Sequence, residues 1–153
     1  MARERTVRDV MTRDVTTLAA DESLALADEV MRLKRIRHIP VVRGKRLLGL
    51  ISHRDLLQAQ ARLLLATKQA TEDEVYVSVA AEDIMTKDVV TVHPDMRILE
   101  ASDLLLDQPF GCLPVVENDG LVGIVTEADL LRWAVRQLRE QSSRETDRPD
   151  PMD

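Results

Sequence analysis

Aromatic side chains are nearly missing from this chain, which has one Trp, one Tyr and one Phe among 153 residues. So few rings give no platform on which single-stranded bases could stack. Any core must then be aliphatic, built from Val, Leu, Ile, Ala and Met. Cysteine is reduced to Cys112 alone, which excludes an intramolecular disulfide framework. The net charge of -6 speaks against a basic face for a phosphate backbone, so nucleic acid is not an expected partner. No uncharged apolar run approaches the roughly 20 residues needed to span a membrane. The first residues, Met1-Ala2-Arg3-Glu4-Arg5, lead into a polar segment without the apolar stretch of a signal peptide, and the expected compartment is the cytoplasm.

What the chain does have is itself, twice. Gly49-Leu50-Ile51-Ser52-His53-Arg54-Asp55-Leu56-Leu57 returns 74 residues later as Gly123-Ile124-Val125-Thr126-Glu127-Ala128-Asp129-Leu130-Leu131. The same shift carries Met11-Thr12 onto Met85-Thr86, Asp14-Val15 onto Asp88-Val89, and Pro40-Val41-Val42 onto Pro114-Val115-Val116 without a gap. A unit of about 50 residues buries little apolar surface alone, so two copies should pack together and create a shared groove. With 44% apolar residues the pair can still form a core.

Within the first copy, Val15 to Leu18 reads as a short β-branched strand, and Asp21-Glu22-Ser23 starts an amphipathic helix carrying Leu24, Ala27, Val30 and Met31. Ile39 to Val42 and Leu47 to Ile51 read as a hairpin around Arg43-Gly44-Lys45, followed by a helix from Ser52 toward Ala66. The second copy repeats this, with Asp95 opening its first helix, Leu113 to Val116 and Leu121 to Val125 as hairpin, and a last helix from Glu127. The expected fold class is α/β in the α+β sense, two β-α-β-β-α repeats packed into one module. Residues 1–66 form the first copy, 67–80 a linker, 81–141 the second copy and 142–153 a disordered tail.

In both copies a glycine leads through two aliphatics to a hydroxyl residue, with an Asp three positions later where a helix begins. Ser52 with Asp55, and Thr126 with Asp129, fit capping boxes with Asp in place of Glu, which stabilise a helix start by about 1 kcal/mol and need no ligand. The same geometry suits a nucleotide. Free N–H groups and the positive dipole end attract phosphate, and an Asp one turn inside can accept from both vicinal hydroxyls of a ribose.

These segments, together with Asp9 to Leu18, Ile36 to Val42 and Asp83 to Pro94, resemble a pair of CBS domains, the Bateman module named for cystathionine β-synthase. The resemblance spans Val7 to Trp133. It implies a non-catalytic regulatory module that binds AMP, ADP, ATP or S-adenosylmethionine between its repeats, forms a homodimer through its helices, and signals to a separate effector protein. By resemblance, Asp55 and Asp129 hold ribose, and Ser52 and Thr126 sit near phosphate. The resemblance also implies phosphate contacts from basic residues at Arg37, His38 and Arg54 in the first site, where the second copy has Gly111, Cys112 and Ala128. The Asp55 site is therefore expected to favour a phosphorylated ligand and the Asp129 site to be weaker. The resemblance also implies exchanged leading segments, bringing Thr86 and Lys87 toward Asp55, and Thr12 and Arg13 toward Asp129. The rival reading is a dimerising scaffold that binds no ligand.

Other chemistry finds little support. His38, His53 and His93 lack zinc-ligand spacing, so no metal is expected. Cys112 reads as a small core residue. Arg132, Arg136 and Arg139 read as a solvated helix face. No nucleophile with its base is visible, so no catalytic residue is expected.

Overall fold

The structure, a computed structural model, describes residues 5–66, 74, 77–109 and 111–147. It has the mixed α+β architecture anticipated from the repeat. In the first copy, β1 (Leu18–Ala19) lies parallel to β2 (His38–Arg43), which pairs antiparallel with β3 (Arg46–Ser52). In the second copy, β4 (Cys112–Glu117) pairs antiparallel with β5 (Gly120–Thr126). Both hairpins carry a bulge at the same repeat position, Val41/Val42 and Val115/Val116. The turns differ in chemistry. Gly44 takes φ 61° in the first, whereas Asn118 and Asp119 take φ 52° and 62° in the second, a role that Asn and Asp tolerate better than most side chains.

Four helices flank the sheets: α2 (Leu24–Lys34), α3 (His53–Ala66), α5 (Ile98–Asp107) and α6 (Glu127–Thr146). In α2 the apolar spacing buries Leu24, Ala27 and Met31, and Ser23 caps the start by accepting from the Leu26 N–H at 3.3 Å. Two one-turn helices, α1 (Val7–Val10) and α4 (Ala81–Ile84), precede the first strands of the two copies.

These short helices are exchanged between the copies. The Val7 N–H donates to the Met96 carbonyl at 2.8 Å and Arg8 N–H to Pro94 at 2.9 Å, so α1 docks on the second copy. Likewise Ala81 N–H donates to Glu22 at 2.7 Å and Glu82 N–H to Ala20 at 3.0 Å, docking α4 on the first copy. The cores follow suit. Ala81 is fully buried with Leu18, Leu24, Ile39, Val41, Ile51 and Leu56, while Val7 is fully buried with Val92, Leu105, Leu113, Val115 and Val125. Between them Leu50, Cys112 and Ile124 form a third cluster against Val15 and Val89.

The exchange explains where the sequence reading went astray. Val15 is spent on this central cluster, so the first strand is only Leu18–Ala19 rather than Val15 to Leu18. Its counterpart in the second copy shrinks to one bridge, Val92 to Val115. Asp95 does not open a helix: α5 starts at Ile98, whose N–H donates to the Arg5 carbonyl at 3.1 Å, while the Asp95 carboxylate pairs with Arg8 at 3.3 Å. The last helix also runs on to Thr146, past Ser142 where the apolar pattern stops. Glu, Gln and Arg are good helix formers, and the Ser143 and Thr146 hydroxyls donate back to the Arg139 and Ser142 carbonyls. Residues 148–153, and 67–73 with 75 and 76 of the expected linker, lie outside the described residues.

Close approach dictates the glycine of each repeated motif. A Cβ on Gly49 would stand 2.6 Å from both the Met85 sulfur and the Thr86 carbonyl oxygen, and one on Gly123 would stand 2.8 Å from the Met11 sulfur and 3.0 Å from the Thr12 carbonyl oxygen. The exchanged segment can lie against the hairpin only where no side chain intervenes. Gly49→Ala is expected to lower stability in urea unfolding by about 2 to 3 kcal/mol, and Gly123→Ala by somewhat less, because a methionine side chain can shift where a carbonyl cannot. An unchanged midpoint for Gly49→Ala would contradict this packing.

Candidate functional site

Each hairpin ends by delivering a hydroxyl residue to a helix start. In the first copy Ser52 N–H donates to Asp55 Oδ2 at 2.9 Å and Asp55 N–H donates to Ser52 Oγ at 3.1 Å. In the second, Thr126 N–H donates to Asp129 Oδ2 at 3.0 Å and Asp129 N–H to Thr126 Oγ1 at 3.2 Å. Both motifs are complete reciprocal capping boxes, which satisfies two otherwise orphaned N–H groups at each helix start.

The exchanged segments reach these helix starts from the other copy. Thr12 and Ile124 exchange backbone hydrogen bonds of 2.9 and 3.0 Å, and Thr86 and Leu50 do the same at 2.9 and 3.0 Å. Up to this point the two sites match. They part at the side chains: the Thr12 hydroxyl donates to Asp129 at 3.2 Å to Oδ1 and 3.4 Å to Oδ2, and among the described residues Thr86 makes no such bond to Asp55.

Further differences surround the two carboxylates. Asp129 is 9% exposed and lies 3.6 Å from the Arg132 guanidinium, an ion pair that the solvated reading of Arg132 missed although its i+3 spacing pointed there. Gln58 holds the matching position on α3. Around the first helix start, His38 pairs with Ser52 across the hairpin, and the Arg37 carbonyl accepts from His53 N–H at 2.8 Å. Arg37 and Arg54 are both exposed. Around the second, Gly111 occupies the left-handed region at φ 68° and its carbonyl accepts from Glu127 N–H at 3.2 Å. A side chain at position 111 is thereby disfavoured, and the basic group that Arg37 supplies in the first copy has no counterpart. Cys112 is buried in the central cluster, and burial pushes its thiol up to about 12, which leaves it without thiolate character at neutral pH.

Among the described residues, no ion pair joins Lys87 to Asp55 or Arg13 to Asp129, the carboxylates toward which the resemblance brings them. Lys87 lines a crevice of about 420 Å³ between the copies, with Arg46 and Leu48 of β3, Val89, Thr91, Val116 and Asp119. Asp55 lines a different hollow of about 350 Å³, with Gln58, Arg62 and Leu63 of α3 and Asp83 of α4. Arg13 donates at 3.5 Å to the Arg8 carbonyl. Arg46, absent from the sequence-derived set, is the second cation of the inter-repeat crevice; its place at the start of a strand gave no signal. Among the described residues no group of three or more His, Cys, Asp or Glu is placed to hold a metal ion.

Two capped helix starts, each approached by a segment of the opposite copy, meet known proteins at this point. The CBS domain pattern matches residues 7–62 and again 81–136. The CBS domain-containing protein YhcV of Bacillus subtilis is 31% identical over 137 residues, which cover 90% of this chain and 89% of that protein. An inosine-5'-monophosphate dehydrogenase of Korarchaeum cryptofilum is 34% identical over 119 residues, 77% of this chain, but the match spans 22% of the dehydrogenase. Among solved structures, AcuB from Vibrio cholerae superposes with a TM-score of 0.78 at 35% identity, covering 95% of this chain and 99% of that one. CBSX2 in complex with AMP gives 0.72 at 29% identity, covering 86% and 96%. The CBS domain pair of protein MJ0100 in complex with 5'-methylthioadenosine and S-adenosyl-L-methionine gives 0.68 at 25% identity, covering 88% and 98%. The chain belongs to the CBS-domain family and carries two CBS domains in tandem.

Proposed function

We propose that this chain is a non-catalytic regulatory module that binds an adenine nucleotide or adenosyl compound between its two CBS domains. It passes the state of that site to a separate effector protein. The observation that carries the reading is that each Asp-bearing helix start is walled by a segment of the opposite copy. A ligand held there touches both copies at once, and it favours whichever mutual arrangement it binds better. Relatives that hold AMP, or 5'-methylthioadenosine with S-adenosyl-L-methionine, support the ligand class. Exposed basic residues Arg37 and Arg54 beside the first helix start favour AMP, ADP or ATP over a neutral adenosyl compound. In this reading the protein works in the cytoplasm.

Exposed leucines on the long helices support a homodimer. Leu57 and Leu64 on α3 are 51% and 47% exposed, and Leu131 and Leu138 on α6 are 65% and 63% exposed. Each pair is seven residues apart and so lies on one stripe of its helix. Removing these stripes tests the assembly. A Leu131→Glu/Leu138→Glu variant is expected to elute as a monomer by light scattering where the unmodified chain is a dimer. Equal masses for the two would contradict dimerisation through α6.

The capping boxes support a second reading, a scaffold that needs no ligand, since both are complete without one. Thermal unfolding separates the two. AMP, ADP, ATP or S-adenosylmethionine at about 100 times its dissociation constant should stabilise the fold by about 2.7 kcal/mol, and Asp55→Ala should abolish that gain. Without ligand, Ser52→Ala should cost about 1 kcal/mol, the loss of a cap alone. If no compound shifts the transition, the scaffold reading replaces the sensor.

A further inference from the structure

We infer that Thr12 decides which of the two helix starts takes the ligand first, so that each chain holds one adenine nucleotide tightly, at Asp55. This assignment rests on the nucleotide reading above and concerns occupancy within it.

A carboxylate offers about four lone-pair directions to donors. At Asp129 two hydrogen-bond donors already converge, the Thr126 N–H at 3.0 Å and the Thr12 hydroxyl shared between both oxygens at 3.2 and 3.4 Å, and the Arg132 guanidinium stands beside them as an ion pair at 3.6 Å. At Asp55, among the described residues, the Ser52 N–H at 2.9 Å is the donor present. A ribose must place two vicinal hydroxyls on the carboxylate. Asp55 has room for both, whereas Asp129 must first release Thr12.

The inequality arises in the side chains alone, because the backbone of the two exchanged segments is held alike. Thr12 pairs with Ile124 as Thr86 pairs with Leu50, with hydrogen bonds of 2.9 and 3.0 Å in each case. The Thr12 hydroxyl acts as an internal stand-in for one ribose hydroxyl. Thr12 is solvent-exposed, so its hydroxyl can be displaced, and the outcome is a bias in affinity rather than a closed site. A hydrogen bond to a charged group corresponds to a bias of about tenfold or more against the Asp129 site.

Calorimetric titration of the full chain with AMP, and separately with S-adenosylmethionine, tests this. The unmodified chain and Thr12→Ser should each bind one tight equivalent of whichever compound binds and a second about tenfold or more weaker, Asp55→Ala should lose the tight equivalent, and in Thr12→Val the second should tighten by about tenfold. Thr12→Ser keeps the hydroxyl, so it controls for the substitution itself. Two equivalents of matching affinity in the unmodified chain, or loss of binding in Asp129→Ala but not in Asp55→Ala, would overturn the assignment and leave the nucleotide reading standing. Absence of heat with both compounds in every variant, each shown to be folded by circular dichroism before ligand, would overturn the nucleotide reading and the assignment with it.

Discussion

Two pairs of backbone hydrogen bonds, Leu50 with Thr86 and Thr12 with Ile124, hold the rest of the molecule to its shape. Each joins the hairpin of one copy to the leading segment that properly belongs to the other. Because α1 and α4 are fixed beyond those crossings, Val7 completes the apolar core of the second copy and Ala81 that of the first. Neither copy has a finished core from its own strands and helices. The requirement for glycine at 49 and 123 follows directly, since a crossing backbone rests where a Cβ would stand. The repeat motif thus serves packing at its glycine and the helix start at its hydroxyl and Asp.

The glycine and the capping box are present in both copies, while the surroundings of the two carboxylates differ. Asp129 is buried and surrounded by Thr12 and Arg132, and it faces a hairpin that contributes a left-handed glycine at position 111. Asp55 opens on a surface with Asp83 and Arg62 and stands near exposed Arg37 and Arg54. In the proposed reading, charge and acceptor capacity both favour the first helix start for a phosphorylated adenosine, the side that the basic residues of the sequence also favour.

Internal repetition made much of this legible in the sequence. Apolar alternation and turn residues located both hairpins to within a residue, and Ser23, Ser52 and Thr126 marked three helix starts. What stayed hidden depends on contacts distant along the chain. The first strands are shorter than their β-branched residues suggest, because Val15 packs in the central cluster and Val92 meets β4 at a single bridge. Asp95 looked like a cap but serves an ion pair with Arg8, a residue of the opposite exchanged segment. The extension of α6 to Thr146 lacked an apolar pattern because an exposed helix end rests on propensity and local hydrogen bonds. At the site, the capping partners could be read from spacing. The neighbourhoods of Lys87 and Arg13 could not, since side-chain direction at a crossing is set by packing between copies.

The central claim is that the crossings tie both copies into one cooperative unit, and native-state hydrogen exchange measures that most directly. The amides of Thr12, Leu50, Thr86 and Ile124 should exchange only through global unfolding, with the same free energy as the hairpin amides of Val41 and Val125. Exchange of those four amides several kcal/mol more easily than the hairpins would mean that the leading segments are peripheral and that each copy stands alone.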